Sequence, residues 1–139
     1  MPQPSSSHRF TLGNALTWLY FALIGGVLVM AYSNALPAQL EYIPYYDKIG
    51  HVVLYGIAAY LGERLVRHRR IRLLGKRLPL FVTLFSLFVV AEELVQYFSP
   101  HRNLDPGDLV MDAIGIAIGT ALAMRGQGLV EGKPNQNPH

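Results

Sequence analysis

A chain of 139 residues, 51% of them hydrophobic, has material for one domain and no length for a second core. It contains no cysteine, which excludes disulfides and thiolate metal centres and leaves packing to supply stability. A formal charge of +3 invites a nucleic-acid reading, but seven of the twelve Lys and Arg residues fall between Arg64 and Arg77 with no accompanying aromatic or motif pattern. No nucleic-acid partner is therefore expected.

The ends, MPQPSSSH and EGKPNQNPH, have little to bury. Residues 1–9 and 126–139 read as disordered tails around a domain of residues 10–125. From Phe10 through Leu40 there is no Asp, Glu, Lys or Arg, and this gap, with ALTWLYFALIGGVLVMAY inside it, exceeds the roughly 20 residues a spanning helix needs. A cleavable signal peptide is the rival reading: His8 and Arg9 precede the run, and Ser33 and Ala35 offer a small-residue cleavage site.

Three further uncharged stretches, residues 49–62, 78–91 and 113–124, are each too short to span alone. They reach spanning length only with flanking polar residues, as helices over Asp47–Val66, Leu78–Phe98 and Pro106–Met124. Acids then lie inside the membrane boundary. A soluble four-helix bundle is the alternative, but it needs a polar face, and LPLFVTLFSLFVVA offers only Thr83 and Ser86. The expected fold is all-α, a four-helix transmembrane bundle. Keeping the basic cluster cytoplasmic, between the second and third spans, makes the N- and C-termini cytoplasmic and leaves Lys48 and Arg102 outside.

Alternating spans bring the polar ends of the last three helices to one side. At 1.5 Å rise per residue, His51 lies about 6 Å below Asp47, Glu92 about 9 Å below Phe98, and Asp112 about 6 Å below Asp108. Asp47, His51 and Tyr55 share a helical stripe, as do Gln96 and either Glu92 or Glu93. Asp108, Asp112, Gly115 and Gly119 fall within one arc. The two glycines let a neighbouring helix of the bundle approach beneath the acids, with GxxxG dimerisation as the alternative. Asp105 reads as an N-cap, Pro106 as the first helical residue and Asp108 as the capping-box acid. Tyr42, Tyr45, Tyr46 and Tyr97 read as an interfacial aromatic belt.

A charge at the bilayer centre costs on the order of 2.5–3.5 kcal/mol, so these carboxylates persist only if paired, hydrated or shallow. The candidate catalytic residues are His51, Glu92, Glu93, Asp108 and Asp112: one carboxylate as general base, His51 as its proton partner. Asp47, Lys48, Tyr55, Gln96 and Arg102 are the candidate ligand-binding residues, with Lys48 or Arg102 holding a phosphate. His51 with two or three acids would instead suit a divalent cation such as Mg²⁺ or Mn²⁺, so the cofactor stays open. No nucleophile motif is present. A buried ion-pair network that fixes helix register is the structural alternative. A proton pathway is disfavoured, because the cytoplasmic halves offer little beyond Glu63, Thr83 and Ser86.

The segments DKIGHVVLYGIAAYL, EELVQYFSPHR and DLVMDAIGIAIG resemble, in order and spacing, the signature segments of the VanZ-like family of bacterial membrane proteins. The matching positions are Asp47, Lys48, His51 and Tyr55; Glu92, Glu93 and Gln96; Arg102; Asp108; and Gly115 and Gly119. The resemblance covers about residues 40 to 122, while the first helix matches only in being hydrophobic. Asp112 stands where the family commonly has Asn, and Asp105 where it has a small polar residue. What the resemblance implies is a multi-pass protein of the bacterial cytoplasmic membrane whose namesake is associated with teicoplanin resistance. The expected partner is a membrane lipid or a lipid-linked cell-envelope precursor, its head group bound or modified in the polar pocket. A non-catalytic membrane partner protein is the competing expectation.

Overall fold

The computed structural model describes residues 12–100 and 105–131, with side chains to residue 126. Arg102 and the terminal segments 1–9 and 132–139 lie outside the described residues. Four helices carry the fold: α1 (Leu12–Tyr32), α2 (Tyr46–Leu65), α3 (Leu80–Gln96) and α4 (Pro106–Glu131). The predicted ends of α2 fall within one residue of those observed, and those of α3 within two. Beyond Arg125, α4 continues to Glu131 into the stretch read as tail. Once nucleated, a helix gains one hydrogen bond for each residue it fixes, so extension needs no new packing partner.

The helix ends follow from local chemistry. Past α1, Asn34 adopts a left-handed φ of 55° and Ala35 N–H donates to Met30 O at 2.8 Å, the six-to-one bond of a Schellman stop. Past α2 the same motif recurs, with Arg67 left-handed and His68 N–H donating to Glu63 O at 3.0 Å. A short 3₁₀ turn, Ala38–Tyr42, links α1 to α2.

The expectation of a wholly α-helical chain requires a correction between α2 and α3. There, strands β1 (Arg70–Leu73) and β2 (Lys76–Pro79) pair antiparallel. The turn residues Leu74 and Gly75 both have positive φ, 49° and 77°, as a two-residue I′ hairpin demands. Arg70, Ile71, Arg72 and Leu73 alternate with period two, the strand signal that the density of positive charge obscured.

Helices α2 and α4 form the closest pair. A Cβ on Gly115 would meet the Val52 carbonyl oxygen at 2.5 Å, and one on Gly119 would overlap the Gly56 carbonyl. The GxxxG segment is thus spent inside the chain, as expected, because only glycine lets the two backbones meet. Around this contact Tyr55, Ala58, Ala59, Val89 and Ile116 are buried. Phe21, Phe81 and Phe85 extend the core toward α1, with ring centroids 5.8 and 5.3 Å apart.

Apolar residues face outward on every helix: Leu16, Leu19 and Leu23 on α1; Ile49, Val53 and Ile57 on α2; Leu84, Leu87 and Leu94 on α3; Val110, Ile114, Ile118 and Leu122 on α4. Among the described residues two helices, α1 and the Pro106–Gly126 part of α4, are long and apolar enough to cross a membrane. The 17 residues of α3 fall short of that length.

Candidate functional site

The start of α4 builds the site. Asp105 is the N-cap: its Oδ1 accepts from Gly107 N–H at 2.7 Å, leaving Pro106 as the first helical residue. Asp108 does not close a capping box, contrary to expectation. Its Oδ1 instead accepts from Lys48 Nζ of α2 at 3.2 Å, while Asp105 Oδ2 takes the same ammonium at 2.8 Å. The Asp105 backbone N–H that a capping box would satisfy donates to Glu93 Oε1 of α3 at 3.1 Å. The N3 acid is therefore released to the interhelical ion pair, and a neighbouring helix supplies its usual acceptor. Lys48 and then the Gly107 N–H hold the Asp105 carboxyl below the usual aspartate range.

One turn further in, His51 Nδ1 lies 2.7 Å from Asp112 Oδ1, and its Nε2 lies 3.8 Å from Asp108 Oδ2. An ionised Asp112 takes the Nδ1–H and so fixes the orientation of the ring. Asp112 is 1% exposed and Glu93 2%, and among the described residues Asp112 Oδ2 and Glu93 Oε2 accept no hydrogen bond. Such orphaned acceptors are costly in a dry interior and are among the features that mark functional sites.

A second cluster sits beside the first. Gln96 Nε2 donates to both oxygens of Glu92 at 2.9 and 3.0 Å, and Tyr32 of α1 donates to Glu92 Oε1 at 2.9 Å. Glu92 is close enough to act on Asp112 electrostatically, as Asp108 is on Glu93. Tyr55 packs beneath, its ring 5.6 Å from His51 and 5.7 Å from Phe85.

Of the residues singled out in the sequence, Lys48, His51, Glu93, Asp108 and Asp112 converge directly, Glu92 and Gln96 adjoin them, and Tyr55 forms the floor. Asp47 does not join: it is exposed in the first turn of α2, with no ion pair among the described residues. Positions 47 and 48 stand about 100° apart on a helix, so when Lys48 faces α4 its neighbour turns away. Sequence reasoning missed Tyr32. Its only signal was a phenol, a group that seeks a hydrogen-bond partner when buried, at the end of an apolar run.

The polar clusters border a cavity of about 450 Å³ between α1, the 3₁₀ turn and α2. Its walls are apolar, including Ile24, Leu28, Leu40 and Leu54, and His51, Gln96, Asp47 and Tyr55 also line it. Among the described residues no three His, Asp or Glu side chains are arranged to hold a metal ion. Lys48 Nζ takes the space between Asp105 and Asp108, so these two carboxylates are not open to a cation. Nor is Lys48 placed to bind a phosphate, with two carboxylates already on its ammonium.

The family model for VanZ/LLP1 matches residues 2–129. The chain belongs to this family. No curated protein and no solved structure matches it. Because the VanZ/LLP1 match takes in α1, the helix that donates Tyr32 is part of the family domain, beyond the 40 to 122 stretch that carried the resemblance.

Proposed function

We propose that this VanZ/LLP1 member is a multi-pass protein of the bacterial cytoplasmic membrane, with both termini inside, that binds a lipid or lipid-linked envelope precursor. The chain of the ligand would lie in the apolar cavity and its head group against His51, Gln96 and the acids behind them. What carries the reading is the inverted distribution of polarity. Glu92, Glu93, Asp108 and Asp112 are buried in the interior while leucines, isoleucines and valines cover the outside. A protein dissolved in water gains nothing from that arrangement, whereas hydrocarbon solvent favours it.

The charge of the described residues supports one kind of head group. The described site holds one lysine, already neutralised, against Glu92, Glu93, Asp105, Asp108 and Asp112. An anion placed there meets repulsion, and a group rich in N–H or O–H donors, an amine or a sugar, meets acceptors. His51, held through Nδ1 by Asp112, borders the cavity and is the imidazole such a head group would meet. The test uses phosphatidylethanolamine against phosphatidylcholine, which share a phosphate but differ in ammonium donors. Native mass spectrometry of protein released from mixed nanodiscs should show selective retention of the ethanolamine lipid, lost in His51→Gln and Glu92→Gln variants that still fold. Equal retention of both lipids would reject the donor-seeking site.

The satisfied part of the network favours a second reading, a structural polar core in a non-catalytic partner protein. Lys48 with Asp105 and Asp108, and Gln96 with Glu92, are closed within the protein and would fix helix register without any ligand. If His51→Gln and Glu92→Gln abolish folding, the structural role prevails. Topology is tested through the absence of cysteine: Arg70→Cys should resist impermeant thiol reagents in intact cells and Tyr46→Cys should react. An effect on glycopeptide susceptibility follows only if the retained ligand is an envelope precursor, and deleting the gene then shifts teicoplanin sensitivity.

A further inference from the structure

The β1–β2 hairpin carries the densest charge in the molecule, and the site above makes no use of it. Its register pairs Arg70 with Pro79, Ile71 with Leu78, Arg72 with Arg77 and Leu73 with Lys76. Paired residues share a face and neighbours alternate, so one face bears Arg70, Arg72 and Arg77 with Pro79, and the other Ile71, Leu73 and Leu78 with Lys76. Arg72 stands directly opposite Arg77, a like-charge pairing that costs stability unless something neutralises it. Among the described residues nothing does: no carboxylate forms an ion pair with Arg67, Arg69, Arg70, Arg72, Lys76 or Arg77, whereas Lys48 at the other end of α2 has two.

The tip adds a second feature: Leu74 is 95% exposed and Leu73 is also exposed, beside the glycine of the turn. Bare leucines next to an uncompensated guanidinium face are the composition of an element lying in a lipid interface, apolar side chains in the acyl boundary and cations among phosphates. Position fixes the geometry. Pro79 ends β2 and is also the N-cap of α3, whose next residues are Leu80, Phe81 and Val82, so the hairpin cannot leave the end of an apolar helix. A nucleic-acid partner would account for the arginines but not the leucines, and the hairpin has no aromatic ring on which a base could stack.

We propose that the β1–β2 hairpin is an anionic-phospholipid docking element, its Arg70–Arg72–Arg77 face bridging lipid phosphates and its Leu73–Leu74 tip entering the interface. The inference rests on the membrane-spanning reading, and the experiment separates the two. Full-length protein is placed in nanodiscs of phosphatidylcholine alone or with phosphatidylglycerol at a 7:3 ratio, the composition being a choice of probe, and amide hydrogen exchange is followed over residues 70–79. Protection should rise roughly tenfold with the anionic lipid, in keeping with the attraction expected of Arg residues at a charged surface. It should return to the phosphatidylcholine level in Arg72→Gln/Arg77→Gln and, for the unmutated protein, in high salt. Exchange that ignores lipid charge overturns the proposal while leaving the spanning reading intact. Failure to enter phosphatidylcholine nanodiscs at all overturns both, and protection by RNA but not by phosphatidylglycerol reassigns the face to nucleic acid.

Discussion

The two ends of α2 hold comparable amounts of charge and treat it in opposite ways. At the Tyr46 end, Lys48 and His51 are met by carboxylates from α4, the acids are buried, and the ammonium is shared between Asp105 and Asp108. At the Leu65 end, six cations crowd a hairpin and its approach, and the acid nearest them, Glu63, is turned inward. It is 1% exposed, with Oε1 accepting from Val82 N–H at 3.1 Å and Oε2 3.6 Å from His68 Nδ1. Charge that a fold neutralises is built into helix packing and must be felt in stability. Charge that it leaves open is held for a partner, and removing it should leave the fold unmoved.

The sharpest way to break the first end is to force α2 and α4 apart below it. Gly119→Val puts a branched side chain into the Gly56 carbonyl, and because that obstacle is backbone the helices have to separate. We expect a loss of about 3 kcal/mol, near the upper end of overpacking costs, together with loss of the Lys48 and His51 contacts above. Unfolding monitored by circular dichroism in detergent measures it. A wild-type-like transition would mean that the two glycines do not set the interhelical distance. A smaller but still large effect is expected for His51→Leu, which strips Asp112, 1% exposed, of its partner. About 2 kcal/mol is lost by that route, the desolvation cost of an orphaned buried acceptor.

The hairpin provides the contrast. Arg72→Gln/Arg77→Gln should change stability by no more than about 0.5 kcal/mol, as surface substitutions usually do, with relief of the facing guanidinium pair opposing any loss. A destabilisation as large as that of His51→Leu would erase the distinction between the two ends, because the arginines would then have partners inside the fold.

How far this contrast could be read in advance depended on the kind of signal. The depth argument needed only helical rise: it set His51, Glu92 and Asp112 at one level, and the structure pairs His51 with Asp112 and puts Glu92 in the adjoining cluster, since a helix converts sequence spacing into height without reference to its neighbours. Which side of the helix faces inward was harder. Asp47 and Lys48 are adjacent, and the choice between them was made by the acids of α4 rather than by α2 itself. Nor could spacing reveal that Glu93 would cap a different helix, because a contact across twelve residues through a turn leaves no period to detect. The hairpin had a period, but seven basic residues among fifteen drew attention to their charge and away from the alternation of Arg70, Ile71, Arg72 and Leu73. The family resemblance drew on residues 40 to 122 and so passed over Tyr32, which enters through a helix whose sequence looks like a generic membrane span.

The finest distinction between the ends lies in how each answers to pH. Asp105 is half-buried, and its carboxyl is held below its ordinary value of 3.8 by Lys48 and by Gly107 N–H. A carboxyl depressed in the folded state adds stability at every pH above its unfolded value, and that contribution disappears as pH falls through the folded value. The window is therefore acidic, opening near the ordinary aspartate range and extending below it. Asp105→Asn isolates the effect, since asparagine caps a helix as well as aspartate does and Lys48 keeps Asp108 as a partner. Unfolding free energies of the two proteins, measured from pH 7 down to pH 3, should differ by a small constant at neutral pH and converge in acid. Subtracting one curve from the other removes the contributions of the remaining carboxylates to the extent that they act independently. A difference that stays flat to pH 3 would mean that Lys48 is not held by Asp105 in solution. The neutralised end of α2 would then depend on Asp108 alone, and the Asp105 cap would belong with the open charges of the hairpin.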